Sequence, residues 1–188
     1  MTAAVRSGTF EELYRQIAQL PEGSRGEILD PGHLHVMGRP AKKHRRCAQA
    51  IYRQLGGVDQ GTGGSGWWIE VEPEVRFGER LFDPDLAGWR VESVPELPDE
   101  NPIDIRPDWV CEVLSPTTAV TDVRKKLPIY AASGVPFIWY VDPEIRLAHV
   151  FIPESGRPSL LLTASEEHCV RLPPFDVDVN PLGWWVPR

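Results

Sequence analysis

Apolar positions along the chain change their period several times, and each change marks an element. Thr9-Phe10-Glu11-Glu12 has capping-box spacing, and Leu13, Ile17 and Leu20 follow at helical spacing, so a helix is expected that Pro21 and Gly23 end. Arg25–Asp30 and His33–Met37 read as a hairpin around Asp30-Pro31-Gly32. A second helix is expected from Pro40 to Gly56-Gly57. Cys47, Ala48, Ile51 and Leu55 give it an apolar face, and Lys42, Lys43, Arg46 and Arg53 lie opposite.

Strict alternation from Trp67 to Phe77 predicts one strand, with Glu70, Glu72 and Glu74 on a solvated side. Leu81–Arg90 reads as the next strand, broken by Pro84 and Gly88, and residues 92–107 form a proline-rich acidic surface loop. Trp109–Leu114 is apolar on both faces except at Glu112, the pattern of a central buried strand. Ser115-Pro116-Thr117-Thr118 turns into a helix near residues 120–132. Val135–Val141, a second buried-type strand, follows, so a crossover joins two parallel strands. Arg146–Ile152 and Leu160–Thr163 read as meander strands, and Trp184-Trp185 is expected to pack back on the body. Together these elements predict an α/β fold with a mixed (α+β) sheet. A frayed tail at 1–8 precedes one domain at 9–188.

Composition narrows the classes. At 188 residues, 41% hydrophobic and 25% charged, the chain is globular rather than disordered or rod-like. It holds no apolar run of membrane-spanning length and no secretory h-region. Cys47, Cys111 and Cys169 are scattered singly, which fits a cytoplasmic protein better than a disulfide framework. Net charge of −7 argues against coating nucleic acid through global charge, but allows a local basic patch.

Three features carry candidate chemistry. Glu112 interrupts a buried apolar strand, where a carboxylate requires a proton, a cation or a buried ion pair. Asp83-Pro84-Asp85 is alone an ordinary turn. Asp122, Lys126 and Tyr130 share one helix face, with Pro128 expected to disturb the helix; alone they read as a surface salt bridge. Combined, two carboxylates on neighbouring strands can hold a hard divalent cation. A lysine from the next helix can orient water or neutralise developing phosphorane charge.

Several weaker signals are set aside. Gly61-Thr62-Gly63-Gly64-Ser65-Gly66 matches a dinucleotide-loop pattern but follows a helix and opens a strand. His33 and His35 lack a third zinc ligand. The tryptophan pairs at 67–68 and 184–185 are read as core or as a dimer surface rather than as base-stacking platforms. The run Lys42-Lys43-His44-Arg45-Arg46 serves equally as a solvated face or a phosphate contact.

Four segments carry a resemblance over roughly residues 9–185. They are Pro84-Asp85-Leu86-Ala87-Gly88-Trp89-Arg90; Pro107-Asp108 through Glu112-Val113-Leu114-Ser115-Pro116-Thr117-Thr118; Asp122-x-x-x-Lys126-Leu127-Pro128-x-Tyr130-Ala131; and Ala132-x-Gly134-Val135-Pro136-x-x-Trp139-x-Val141-Asp142-Pro143. In this order they resemble the Uma-type restriction endonucleases of the PD-(D/E)XK nuclease superfamily. Gly26-Glu27-Ile28-Leu29-Asp30 and His44 also look like family features.

The resemblance implies a restriction-endonuclease-like core with an extra N-terminal hairpin and C-terminal meander strands. It implies a Mg²⁺- or Mn²⁺-dependent endonuclease acting on DNA. Asp85 and Glu112 would be the metal acids and Glu27 a third acid. Lys126 would replace the strand lysine, whose position holds Leu114. Lys43, His44, Arg45 and Arg46 would contact nucleic acid. Cutting both strands of a duplex favours a homodimer. The alternatives are a non-catalytic interaction protein on the same fold, or a hydrolase of another phosphodiester, RNA or a nucleotide.

Overall fold

The computed structural model describes residues 6–38, 41–115, 122–166 and 168–185. The expected helix start at Pro40, the turn through residues 116–118 and the side chain of Asp122 lie outside the described residues.

Arg6–Ser7 (β1), the first element of the described residues, pairs with the later hairpin, so residues 6–8 are not the free tail expected of them. Helix α1, Phe10–Ile17, begins at the predicted capping box: Thr9 accepts from the backbone of Glu12, whose carboxylate accepts from the Thr9 N–H at 2.9 Å. It ends at Ile17, four residues before Pro21. Ser24–Asp30 (β2) and His33–Gly38 (β3) form the hairpin, and α2 follows at Lys42–Leu55. Gly26 lets α1 lie on β2: a Cβ there would stand 2.6 Å from Ile17.

The strand expected over Trp67–Phe77 is two strands in two sheets, Trp67–Val71 (β4) and Val75–Phe77 (β5). Glu72 at φ 55° and Pro73 turn the chain between them. The next segment divides likewise into Arg80–Phe82 (β6) and Leu86–Arg90 (β7). The break falls at 83–85. Gly88 does not interrupt β7 but admits the rings of Trp109 and Trp67, which a Cβ would meet at 3.1 and 3.3 Å.

Trp109–Val113 (β8) is buried throughout. A π-helical turn, Asp122–Lys126, leads into α3, Leu127–Ala132. Pro128 has no N–H for an i→i−4 bond and crowds the carbonyl four residues back, which accounts for the widened turn just before it. Phe137–Asp142 (β9), Leu147–Glu154 (β10) and Arg157–Ala164 (β11) follow. Val170–Arg171 (β12) and Asp178–Val179 (β13) pair near the end.

The main sheet has the order β11-β10-β9-β8-β7-β4, with β8 and β9 parallel as the crossover predicts and every other pair antiparallel. The second sheet is β1-β3-β2-β6-β5. Alternation along β8 feeds two cores. Trp109, Cys111 and Val113 join Cys47, Ala48, Ile51 and Leu55 of α2, together with Trp139, Trp184 and Trp185. Val110 joins Leu127, Tyr130 and Ala131 of α3, Leu29 of β2 and Phe82 of β6. The tryptophan pair at the end of the described chain does pack back, as expected. No helix of the described residues is long and apolar enough to cross a membrane.

Candidate active site

The break between β6 and β7 lies beside the C-terminal half of β8, and it brings buried ionisable groups together. Asp85 directly precedes β7, whose register pairs Leu86 with Cys111. Extending that ladder by one step sets the Asp85 backbone opposite Glu112, so Glu112 lies within β8 and Asp85 just outside its neighbour β7. Oδ2 of Asp85 accepts from Val113 N at 2.7 Å and lies 3.0 Å from Nε2 of His44 on α2. Glu112 points to the α3 side, where its Oε1 accepts from Tyr130 Oη at 2.7 Å and from Lys126 Nζ at 3.2 Å.

Lys126 also bonds Oε1 of Glu27 at 2.8 Å, and the same oxygen accepts from Asp83 N at 3.0 Å. Glu27, Asp85, Glu112 and Lys126 are all buried, at 0%, 5%, 3% and 3% exposure. A lysine absent from β8 thus reaches Glu112 from the helical segment after it. Glu27, Glu112 and Lys126 meet in this network, whereas Asp85 bonds separately, to His44 on the α2 side and to Val113 N.

Around them, Arg25 pairs with Glu72 and lies 3.5 Å from Asp83. Burial pushes the Asp83 carboxyl up to about 7, with Arg25 pulling the other way. Burial, then the charge of Glu112, holds the Tyr130 hydroxyl well above its ordinary value, so Tyr130 stays a donor. Cys47 beneath Asp85 is pushed up to about 12, chiefly by burial.

The basic run divides. Arg45 and Arg46 are exposed, as a phosphate-contacting face requires. Lys43 is half-buried and ion-paired with Glu144 at 2.8 Å. His44 departs from the expectation: it is buried against Asp85, not displayed on the basic surface. The periodic signal for this was present, because 44 precedes 47, 48, 51 and 55 at helical spacing on the apolar stripe. Asp83 belongs to the Asp83-Pro84-Asp85 feature, but no spacing rule links it to Arg25 on β2. The acidic row does not share one solvated side, since Glu72 pairs with Arg25 and Glu74 accepts from Tyr14 at 2.6 Å. His33 and His35 bond to Pro31 and Asp30, within their own hairpin.

Among the described residues no three His, Cys, Asp or Glu side chains form a ready-made metal-ligand set. A divalent cation of the Mg²⁺ type does not need one, since it keeps several waters and takes one or two carboxylates. The donors here are hard oxygens. Glu27, Asp83, Asp85 and Glu112 outnumber the nearby cations, Lys126 and Arg25, and Oε2 of Glu27 is buried without a partner among the described residues. The residues therefore fit such an ion.

The sequence model of the Uma2 family, described as "Putative restriction endonuclease", matches residues 10–179. No curated protein matches the sequence. A solved structure described as a "putative nuclease belonging to DUF820" from Anabaena variabilis ATCC 29413 is similar with a TM-score of 0.73 at 20% identity. The match covers 95% of this chain and 97% of that one, and it supports the same fold over the whole length.

Proposed function

This chain belongs to the Uma2 family, and from that premise we propose that it is a divalent-metal-dependent endonuclease hydrolysing DNA phosphodiester bonds. The observation that carries the reading is Lys126, buried between Glu27 and Glu112. An ammonium held among carboxylates can stabilise negative charge developing on a phosphate.

Asp85 and Glu112 would hold Mg²⁺ or Mn²⁺, with Glu27 as a further acid. When bound, such an ion makes water a stronger acid and polarises the scissile phosphate. Lys126 holds its proton at Nζ and offers positive charge to the phosphate oxygens as negative charge develops. Tyr130 keeps Glu112 oriented by donating to Oε1. Arg45 and Arg46 supply sequence-independent contacts to the backbone. Cutting both strands of a duplex calls for two copies about a two-fold axis.

A non-catalytic protein on the same fold is the second reading. Leu114 in the strand-lysine position and the lack of a ready-made ligand set among the described residues favour it.

Supercoiled-plasmid cleavage by wild type and Asp85→Asn, in Mg²⁺, Mn²⁺ and EDTA, tests the proposal. Nicking or linearisation that needs metal and is lost in the variant is expected. Wild-type silence in both metals overturns the DNA reading, and RNA or nucleotide substrates then become the next arm.

A further inference from the structure

His44 occupies a position that helical periodicity reserves for an apolar residue, three before Cys47 and seven before Ile51. Its ring is buried, and among the described residues Nδ1 has no partner. A leucine would fill the stripe without burying an unsatisfied nitrogen, so packing alone does not account for a histidine here. Among the described residues, the polar contact of the ring is Nε2 at 3.0 Å from Oδ2 of Asp85. A carboxylate oxygen only accepts, so Nε2 carries the proton and donates.

Residues 83–85 belong to no strand, and the Asp85 carbonyl accepts from Glu72 N at 3.0 Å, one step beyond the Val71–Leu86 pair of the β4–β7 ladder. Two donors on different elements meet at one oxygen: His44 from α2, and Val113 N from β8 at 2.7 Å. They fix the rotation of the carboxylate and occupy Oδ2.

We infer that His44 is a positioning residue, which locks the Asp85 carboxylate so that Oδ1 is the oxygen presented to a divalent cation. It does not itself touch nucleic acid. The inference rests on the reading of Asp85 as a metal acid. It makes the first turn of α2 bifunctional: His44 faces inward to the acid while Arg45 and Arg46 face solvent.

The test compares His44→Gln with His44→Asn in the full chain. Glutamine can place an N–H where Nε2 stands. Asparagine reaches only as far as Nδ1 and cannot donate to Oδ2. Affinity for Mn²⁺ alone is read from the free-ion electron paramagnetic resonance signal, without DNA, and circular dichroism and thermal melts report folding. Loss of an outer partner of a metal ligand weakens affinity about 10- to 100-fold, so His44→Asn is expected to lose at least about tenfold and His44→Gln less than about threefold. If His44→Asn does not fold, His44→Leu replaces it.

Wild-type affinity in His44→Asn would overturn the inference, as would equal loss in both variants, which would make His44 a ligand or a packing element. Mn²⁺ binding that depends on His44 in this way, in a protein that cuts no plasmid, would uphold the inference and sink the nuclease reading. Metal-dependent cutting with Mn²⁺ binding indifferent to His44 would do the reverse. A wild type that binds no Mn²⁺ would overturn the inference together with its metal premise.

Discussion

The two faces of β8 bury side chains for opposite reasons. Toward α2, Trp109 packs edge-on against Trp139 and Phe175, with ring centroids 5.1 and 4.9 Å away, and Trp139 continues to Trp184 at 6.1 Å. Toward α3, Glu112 is as buried but is bonded to Tyr130 and Lys126. Apolar burial of the first kind is the main favourable term in folding. A buried ion network of the second kind repays its desolvation poorly, and apolar residues of similar size often serve stability as well or better. The contrast teaches where to look for chemistry: the charged end of β8 is retained at some cost to folding.

Changes on the two faces should separate accordingly. Trp139→Ala opens a cavity in the aromatic core and should cost about 3–5 kcal/mol, read as a lower urea midpoint with unchanged slope. Lys126→Met leaves Glu27 and Glu112 buried without their shared cation. It should cost about 3 kcal/mol as well as abolish cleavage. Adding Glu112→Gln should recover part of that stability but none of the activity, so the double-mutant cycle shows coupling. The contrast breaks if Lys126→Met is as stable as wild type.

Tyr130→Phe removes one donor to a buried carboxylate and should cost about 1.5–3 kcal/mol, less than either change above.

A smaller effect sharpens the apolar side. Native protein should take up alkylating reagent at exposed Cys169 alone, and buried Cys47 and Cys111 should react only on unfolding. The Cys47 thiol, raised from 9.0 to about 12, favours the folded state's protonated form. It therefore leaves stability unchanged below about pH 9 and lowers it as pH rises from there toward about 12, relative to Cys47→Ala. Smallest of all, Arg45→Ala should weaken duplex binding without sequence preference and lower the salt-dependence slope by about one.

Much of the fold is legible in the residues because local signals and tertiary demands agree. The capping box at Thr9 and the all-apolar flanks of Glu112 specify α1 and a central β8 without long-range information. The break at Glu72-Pro73 is hidden by its own periodicity. Val71, Val75 and Phe77 keep the alternation across a turn that moves the chain into another sheet.

The site is legible in part for the same reason. Lys126 and Tyr130 share a helix face, and both do reach Glu112. The run of charge at residues 42–46 masks the place of His44 on the apolar stripe of α2. The Arg25–Asp83 contact joins elements that no sequence period connects.

The most direct test of the central claim is plasmid cleavage by wild type and Glu112→Gln side by side in Mn²⁺, with folding checked by circular dichroism. The account predicts metal-dependent cutting by wild type and at least about a hundredfold loss in the variant, the scale of removing one group that stabilises transition-state charge. A folded Glu112→Gln that cuts at the wild-type rate would contradict it.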